Sequence, residues 1–112
     1  MIRLIKKIFG QRDDPAYQEW MLRQFIPAYR RLIDALQGRC TVPRALRTAE
    51  TIFSKDQKFN IADAPFDLRV QFQNLHNAVS TQSEDRTKVL GEADAVLDEW
   101  RAARDLQVRA AT

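Results

Sequence analysis

Hydrophobic residues recur at three- and four-residue steps along most of this chain, which is the spacing of one face of an α-helix. The longest run follows Asp13-Asp14-Pro15, a sequence typical of a helix N-terminus, and ends before Gly38. Because Pro27 lacks a backbone N–H and clashes with the preceding turn, we expect a kink or break near Phe25–Ile26. One apolar stripe comprises Tyr17, Trp20, Met21, Phe25, Ala28, Leu32 and Leu36, and a second comprises Leu22, Ile26, Tyr29 and Ile33. Two adjoining stripes predict contact with more than one neighbouring helix.

The same periodicity predicts three more helices. Thr41 is predicted to cap a helix at about 42–55, Asp63 and Pro65 to open the next, and Ser83 to start the last after a turn at 80–83. Their apolar positions are Val42, Ala45, Leu46, Ala49, Ile52 and Phe53, then Leu68, Phe72, Leu75 and Val79, and finally Val89, Leu90, Ala93, Val96, Leu97, Trp100 and Ala103. In the loop at 56–64, Phe59 and Ile61 are expected to fill the core.

The N-terminal segment 1–10 is amphipathic at helical spacing and ends at Gly10. Its apolar side is formed by Ile2, Leu4, Ile5, Ile8 and Phe9, and its basic side by Arg3, Lys6 and Lys7. A helix this short is unstable alone in water because nucleation is costly. We therefore expect it to lie on its own domain or dimer, in the groove of a partner protein, or on a membrane surface.

No stretch shows sustained alternation of apolar and polar residues, and no hairpin sequence is present. With 112 residues, the chain has the length of one domain. The patterns predict an all-α protein, a compact bundle of four to five helices with a short N-terminal amphipathic helix and a Pro-kinked second helix. Residues 1–112 form this single domain, with a frayed tail at 107–112.

Charge is distributed unevenly. Residues 1–47 hold ten basic and four acidic side chains, net +6, whereas the rest of the chain is net −3. Between residues 23 and 47 every basic residue is an arginine: Arg23, Arg30, Arg31, Arg39, Arg44 and Arg47. Arginine forks bind carboxylates and phosphates bidentately. These side chains are therefore expected to be solvated or paired with the acidic half of the chain, or else to bind an acidic protein partner or a nucleic-acid backbone.

Groups that carry chemistry are sparse. The three glycines stand apart, so no phosphate-binding loop is present, and no metal-ligand spacing occurs. Cys40, beside Arg39, is expected to be a half-buried residue in a turn, and His76 to lie at the boundary between the apolar and polar sides of its helix. Carboxylates such as Asp98 and Glu99 are consecutive and diverge on a helix. We therefore expect no enzyme activity, no catalytic residues, no cofactor and no metal site.

These features favour a non-enzymatic helical interaction protein that docks on another protein as an adaptor, inhibitor or small subunit. The expected partner has an acidic surface or is a second copy of the chain, paired through the last helix. The alternative is a nucleic-acid-binding accessory subunit that contacts phosphates through the arginines. A weaker alternative is a peripheral membrane protein attached by residues 1–9. One free cysteine and no export signal favour a cytoplasmic location.

Overall fold

The computed structural model describes residues 14–82 and 86–111, with side chains up to residue 106. In chain order the elements are α1 (Pro15–Trp20), a π-helical turn (Met21–Phe25), α2 (Ile26–Leu36), α3 (Val42–Phe53), a 3-10 turn (Ile61–Asp63), α4 (Phe66–Thr81) and α5 (Arg86–Ala111). Every element in these ranges is helical, which confirms the predicted all-α bundle. The amphipathic segment 1–10 lies outside the described residues.

The first three elements form one continuous helix that widens before Pro27. The Asp14 carboxylate accepts a 2.9 Å hydrogen bond from the backbone N–H of Ala16, so the predicted N-terminal cap is present. The Ile26 N–H donates to the Met21 carbonyl oxygen, five residues back, in a π turn. The wider turn lies where the proline ring would clash with a regular preceding turn. The helix therefore continues through the predicted position without a break.

The π turn also corrects one prediction about the core. A π turn holds one more residue than an α turn. The faces of the helix before the turn are therefore rotated by about one residue, roughly 100°, relative to those of the helix after it. Leu22, which straight helical spacing placed in the second stripe, is 39% exposed. Ile26, Tyr29 and Ile33, which follow the turn, are buried as predicted.

Gly38 ends α2 as expected. Its φ of +77° is the left-handed conformation that glycine adopts without strain. The Arg39 N–H donates to the Asp34 carbonyl oxygen at 2.8 Å, and the Gly38 N–H donates to that of Ala35 at 3.3 Å. These bonds form a Schellman motif, which fixes the direction in which the chain enters α3. Thr41 precedes α3 as predicted, but its side chain makes no capping hydrogen bond.

The α3–α4 connection differs in detail from the prediction. Asp63 does not open α4, because its carboxylate accepts from the Asn60 N–H at 2.9 Å and closes a capping box around the 3-10 turn. Helix α4 begins after Pro65. Phe59 is buried and Ile61 packs against the core, as expected.

The core lies between the continuous first helix, α3, α4 and α5. Within it, α2 contacts each of the other three helices. This arrangement confirms that its wide apolar stripe faces several neighbours. Phe25 and Phe72 bring α4 against the end of the π turn, with ring centroids 5.2 Å apart. The predicted α5 seam closes the same core, with buried members Ala93, Leu97, Trp100 and Ala103 and half-buried members Val89, Leu90 and Val96. The α5 backbone stays helical to Ala111, into the segment for which we expected fraying.

Candidate functional site

Five of the six arginines lie on two neighbouring helices and the connection between them. Arg30 and Arg31 belong to α2, Arg39 to the connection, and Arg44 and Arg47 to α3. All are exposed except the half-buried Arg31. We call these five residues the arginine patch. The α2–α3 hairpin positions them, and the Schellman motif at Gly38 fixes its turn.

A chain of hydrogen bonds links the two sides of the arginine patch. The Arg31 guanidinium Nη1 donates to Thr48 Oγ1 at 2.8 Å, and the Thr48 hydroxyl donates to the backbone carbonyl oxygen of Arg44 at 3.0 Å. The α2 arginine is thereby held across α3, one turn from Arg44. This bond attaches the half-buried Arg31 side chain to α3. The sequence did not identify Thr48 as its partner.

Arg23 is separate from the patch. It lies in the π turn, and its Nε is 3.5 Å from the Glu19 carboxylate in an ion pair between two exposed side chains. The seven-residue step from Arg23 to Arg30 crosses the π turn, so the two side chains are out of line by about the one-residue phase difference. In a regular α-helix a seven-residue step would place them on the same side.

The arginine patch retains its positive charge. Within residues 14–82 and 86–106, no ion pair engages Arg30, Arg39, Arg44 or Arg47. The acidic residues of α5 therefore do not neutralise these four guanidinium groups, as internal pairing of the two halves would require. Four exposed guanidinium groups, together with Arg31, therefore give the α2–α3 hairpin a local excess of positive charge.

A second surface, on α4, was not identified from the sequence. Its exposed residues Val70, Gln73, Asn74, Asn77 and Thr81, which we call the α4 face, are all uncharged. Phe66, one turn before Val70, is 66% exposed, with the Arg69 guanidinium 5.3 Å from its ring centroid. The available signal was the absence of Asp, Glu, Lys or Arg between residues 69 and 84, in a chain with 29% charged residues.

Shallow grooves run along both sides of the α4 face. The groove of about 330 Å³ between α3 and α4 is lined by Phe53, Gln73, His76 and Asn77. The groove of about 320 Å³ between α4 and α5 is lined by Asn74, Asn77, Ala78, Thr81, Lys88, Val89 and Glu92. Asn77 borders both grooves, so it marks the ridge between them.

The chemically reactive side chains lie where the sequence placed them. Cys40 is half-buried in the α2–α3 connection, with its Sγ 3.6 Å from the Thr41 carbonyl oxygen. His76 is half-buried on α4, and its ring packs edge-on against Phe53 at 5.0 Å between centroids. Among the described residues, no group of three or more His, Cys, Asp or Glu side chains is arranged to hold a metal ion.

One prediction from the sequence concerns attachment to a membrane surface. The N-terminal face formed by Ile2, Arg3, Leu4, Ile5, Lys6, Lys7, Ile8 and Phe9 lies outside the described residues. In residues 14–82 and 86–111, no helix combines the length and apolarity needed to cross a bilayer.

No known family model, curated protein or solved structure matches this chain. The geometry and charge of the described surfaces are therefore the features that bear on function.

Proposed function

We propose that this protein is a non-enzymatic helical interaction protein, an adaptor, inhibitor or small subunit that docks on an acidic surface of another protein. The arginine patch is the docking surface. The observation that supports this proposal is that Arg30, Arg39, Arg44 and Arg47 are exposed without an ion pair in the described part of the chain. Arginine is among the residues most enriched at the energetic centres of protein interfaces.

The shape of the patch favours a folded partner. Its arginines cluster around one helix–helix hairpin, and Arg31 is held in place by Thr48, so part of the side-chain ordering cost of binding is already met. A carboxylate-bearing surface needs to match only this small area. A nucleic-acid duplex is negatively charged along its whole length, with one charge per about 1.7 Å of its axis. Residues from 48 onward are net −3, so they would repel it.

A charge-reversal experiment tests this proposal. The tagged chain is used to capture partners from a native lysate, with and without nuclease, beside the double variant Arg30→Glu/Arg44→Glu. The control Lys55→Glu/Arg101→Glu makes the same charge change at exposed positions outside the patch. We expect a nuclease-resistant protein that the patch variant loses and the control retains. Its elution should need only moderate salt, since exposed charge pairs are screened over about 8–10 Å at ~0.1–0.15 M.

Two results would contradict the proposal. Capture that nuclease abolishes would support the nucleic-acid alternative, which a steep salt dependence of oligonucleotide binding by the purified chain would then establish. A partner held equally by the patch variant and the control would move the docking surface away from the arginines.

For cellular location we propose the cytoplasm. Cys40 is a free thiol at a half-buried position, which suits a reducing compartment. Fractionation of cells that express the chain, with thiol alkylation before lysis, tests this proposal.

A further inference from the structure

We infer that the α4 face is an interface for a second copy of this chain, which forms a weak, reversible dimer. This inference concerns a different surface from the arginine patch and does not depend on it. It rests on the exposure of five uncharged side chains along one helix and on the grooves beside them.

The chemistry of the α4 face is self-complementary. In a twofold dimer the same patch faces itself: side chains near the axis meet their own copies, and the others meet residues on the opposite side of the axis. A carboxamide donates and accepts hydrogen bonds, so Gln73, Asn74 and Asn77 can pair with the same residues of another copy. Charged residues are depleted at the centres of protein interfaces, and the α4 face has none.

Charge at the rim is also compatible with a second copy. Lys88 and Glu92 lie one turn apart on α5, along the groove that Asn77 borders, and their opposite charges balance. Two arginine patches, in contrast, would repel each other. Of these two surfaces, the α4 face is therefore the one that can meet its own copy without an electrostatic penalty.

A charged partner is disfavoured on the α4 face. Acidic or basic groups brought against these carboxamides would lose water without gaining an opposite charge, which is costly. An uncharged, hydrogen-bonding surface fits, and the chain itself supplies one.

The size of the face sets the expected affinity. The α4 face extends from Val70 to Thr81, so it occupies about 18 Å of the length of helix α4. A contact along one helix and its two grooves is at the low end of specific interfaces, below about 1,200 Å² in total, where complexes are weak and transient. We therefore expect a dissociation constant of about 10–500 μM.

Sedimentation of the full chain from about 10 μM to about 1 mM tests this inference, in the concentration range set by the expected affinity. The weight-average mass should rise from monomer toward dimer. The rise should change little between about 0.1 and 0.5 M salt, since uncharged contacts are not screened. Asn77→Asp should weaken the dimer at least about tenfold by bringing two like charges together. Gln37→Glu, which adds the same charge at the exposed end of α2, is the matched control and should leave it unchanged.

A charge-swap experiment identifies the occupant. Asn77→Asp and Asn77→Lys should each be largely monomeric, and an equimolar mixture should associate again, because opposite charges now meet. Asn77 is exposed, so neither variant should alter the melting temperature. If either variant does, the experiment is repeated with Gln73→Glu and Gln73→Lys, one turn earlier on the same face. A chain that remains monomeric at ~1 mM would overturn the inference. A dimer that is indifferent to the swaps would overturn it as well, since the interface would then lie elsewhere.

Discussion

The hydroxyl of Tyr29 donates a 2.7 Å hydrogen bond to the backbone carbonyl oxygen of Ala93, in the buried contact between α2 and α5. Both residues are fully buried. The small side chain of Ala93 lets the phenol reach the main chain of α5. One hydrogen bond thus joins α2 to α5 and satisfies the hydroxyl within the core.

The first prediction concerns this bond. Replacing Tyr29 with Phe should lower the free energy of unfolding by about 1 kcal/mol, the usual net value of one hydrogen bond. The Ala93 carbonyl is inside a helix, so loss of the hydroxyl leaves it with its helical donor and limits the cost. Urea denaturation followed by circular dichroism measures the difference. A variant as stable as the parent would show that the bond contributes nothing.

Alkaline pH provides the second prediction. Burial, and to a smaller extent the nearby Asp94 carboxylate, raise the pKa of Tyr29 well above its ordinary value of about 10. The folded chain therefore keeps the phenolic proton at pH values where the unfolded chain has lost it. The contribution of Tyr29 to stability should be constant below about pH 10 and fall as the pH rises above it.

Comparison with Tyr29→Phe isolates this contribution from the other groups that titrate in the same range. The stability of the parent should decrease more steeply than that of the variant between about pH 9.5 and 11.5, as measured by thermal melts. Parallel curves for the two proteins would contradict the assignment of the effect to Tyr29.

The third prediction uses two glycines with opposite roles. Gly91 is exposed inside α5 with open space around it, so Gly91→Ala should raise stability by about 0.5–1 kcal/mol through helix propensity. Gly38 has φ +77°, and Gly38→Ala should lower stability by about 1 kcal/mol, although its surroundings are equally open. The melting temperatures of the two variants should therefore move in opposite directions. A shift in the same direction would show that backbone conformation does not decide the outcome.

The fourth prediction tests closure of the bundle by α5. Trp100 is 3% exposed, and Trp100→Ala should cost about 3–5 kcal/mol, as truncation of a buried aromatic does. Leu106, 60% exposed on the same helix, is the matched control, and Leu106→Ala should change stability by less than about 0.5 kcal/mol. Denaturant midpoints measure both changes. A loss below about 1 kcal/mol for Trp100→Ala would contradict its place in the core.

Much of the fold was predictable because helix signals are local. The Asp14 cap, the Gly38 stop and the buried positions Leu68, Phe72, Leu75 and Val79 follow from residues within a few turns of one another. Leu22 was misplaced because regular α-helical spacing was assumed on both sides of the expected kink, whereas the π turn there adds one residue. Asp63 was misassigned because its carboxylate accepts the Asn60 N–H in the capping box of the 3-10 turn, whereas α4 begins only after Pro65.

The candidate surfaces were predictable to different degrees. Arginine composition indicated the residues of the patch, but neither the separation of Arg23 nor the role of Thr48 follows from composition. The first depends on the phase of the π turn, and the second on a contact between residues 17 positions apart. The α4 face was overlooked because single Asn and Gln residues are not distinctive in a sequence. Only the structure shows that they share one exposed side of α4.

By itself, the sequence determined the helices and most of the residues that they bury, because apolar spacing along a helix is a local property. Only the tertiary structure decided which charges remain unpaired, which polar side chains share a surface and where Tyr29 finds its acceptor. Those outcomes depend on the way in which distant helices pack, and packing depends on the shapes of both partners at once.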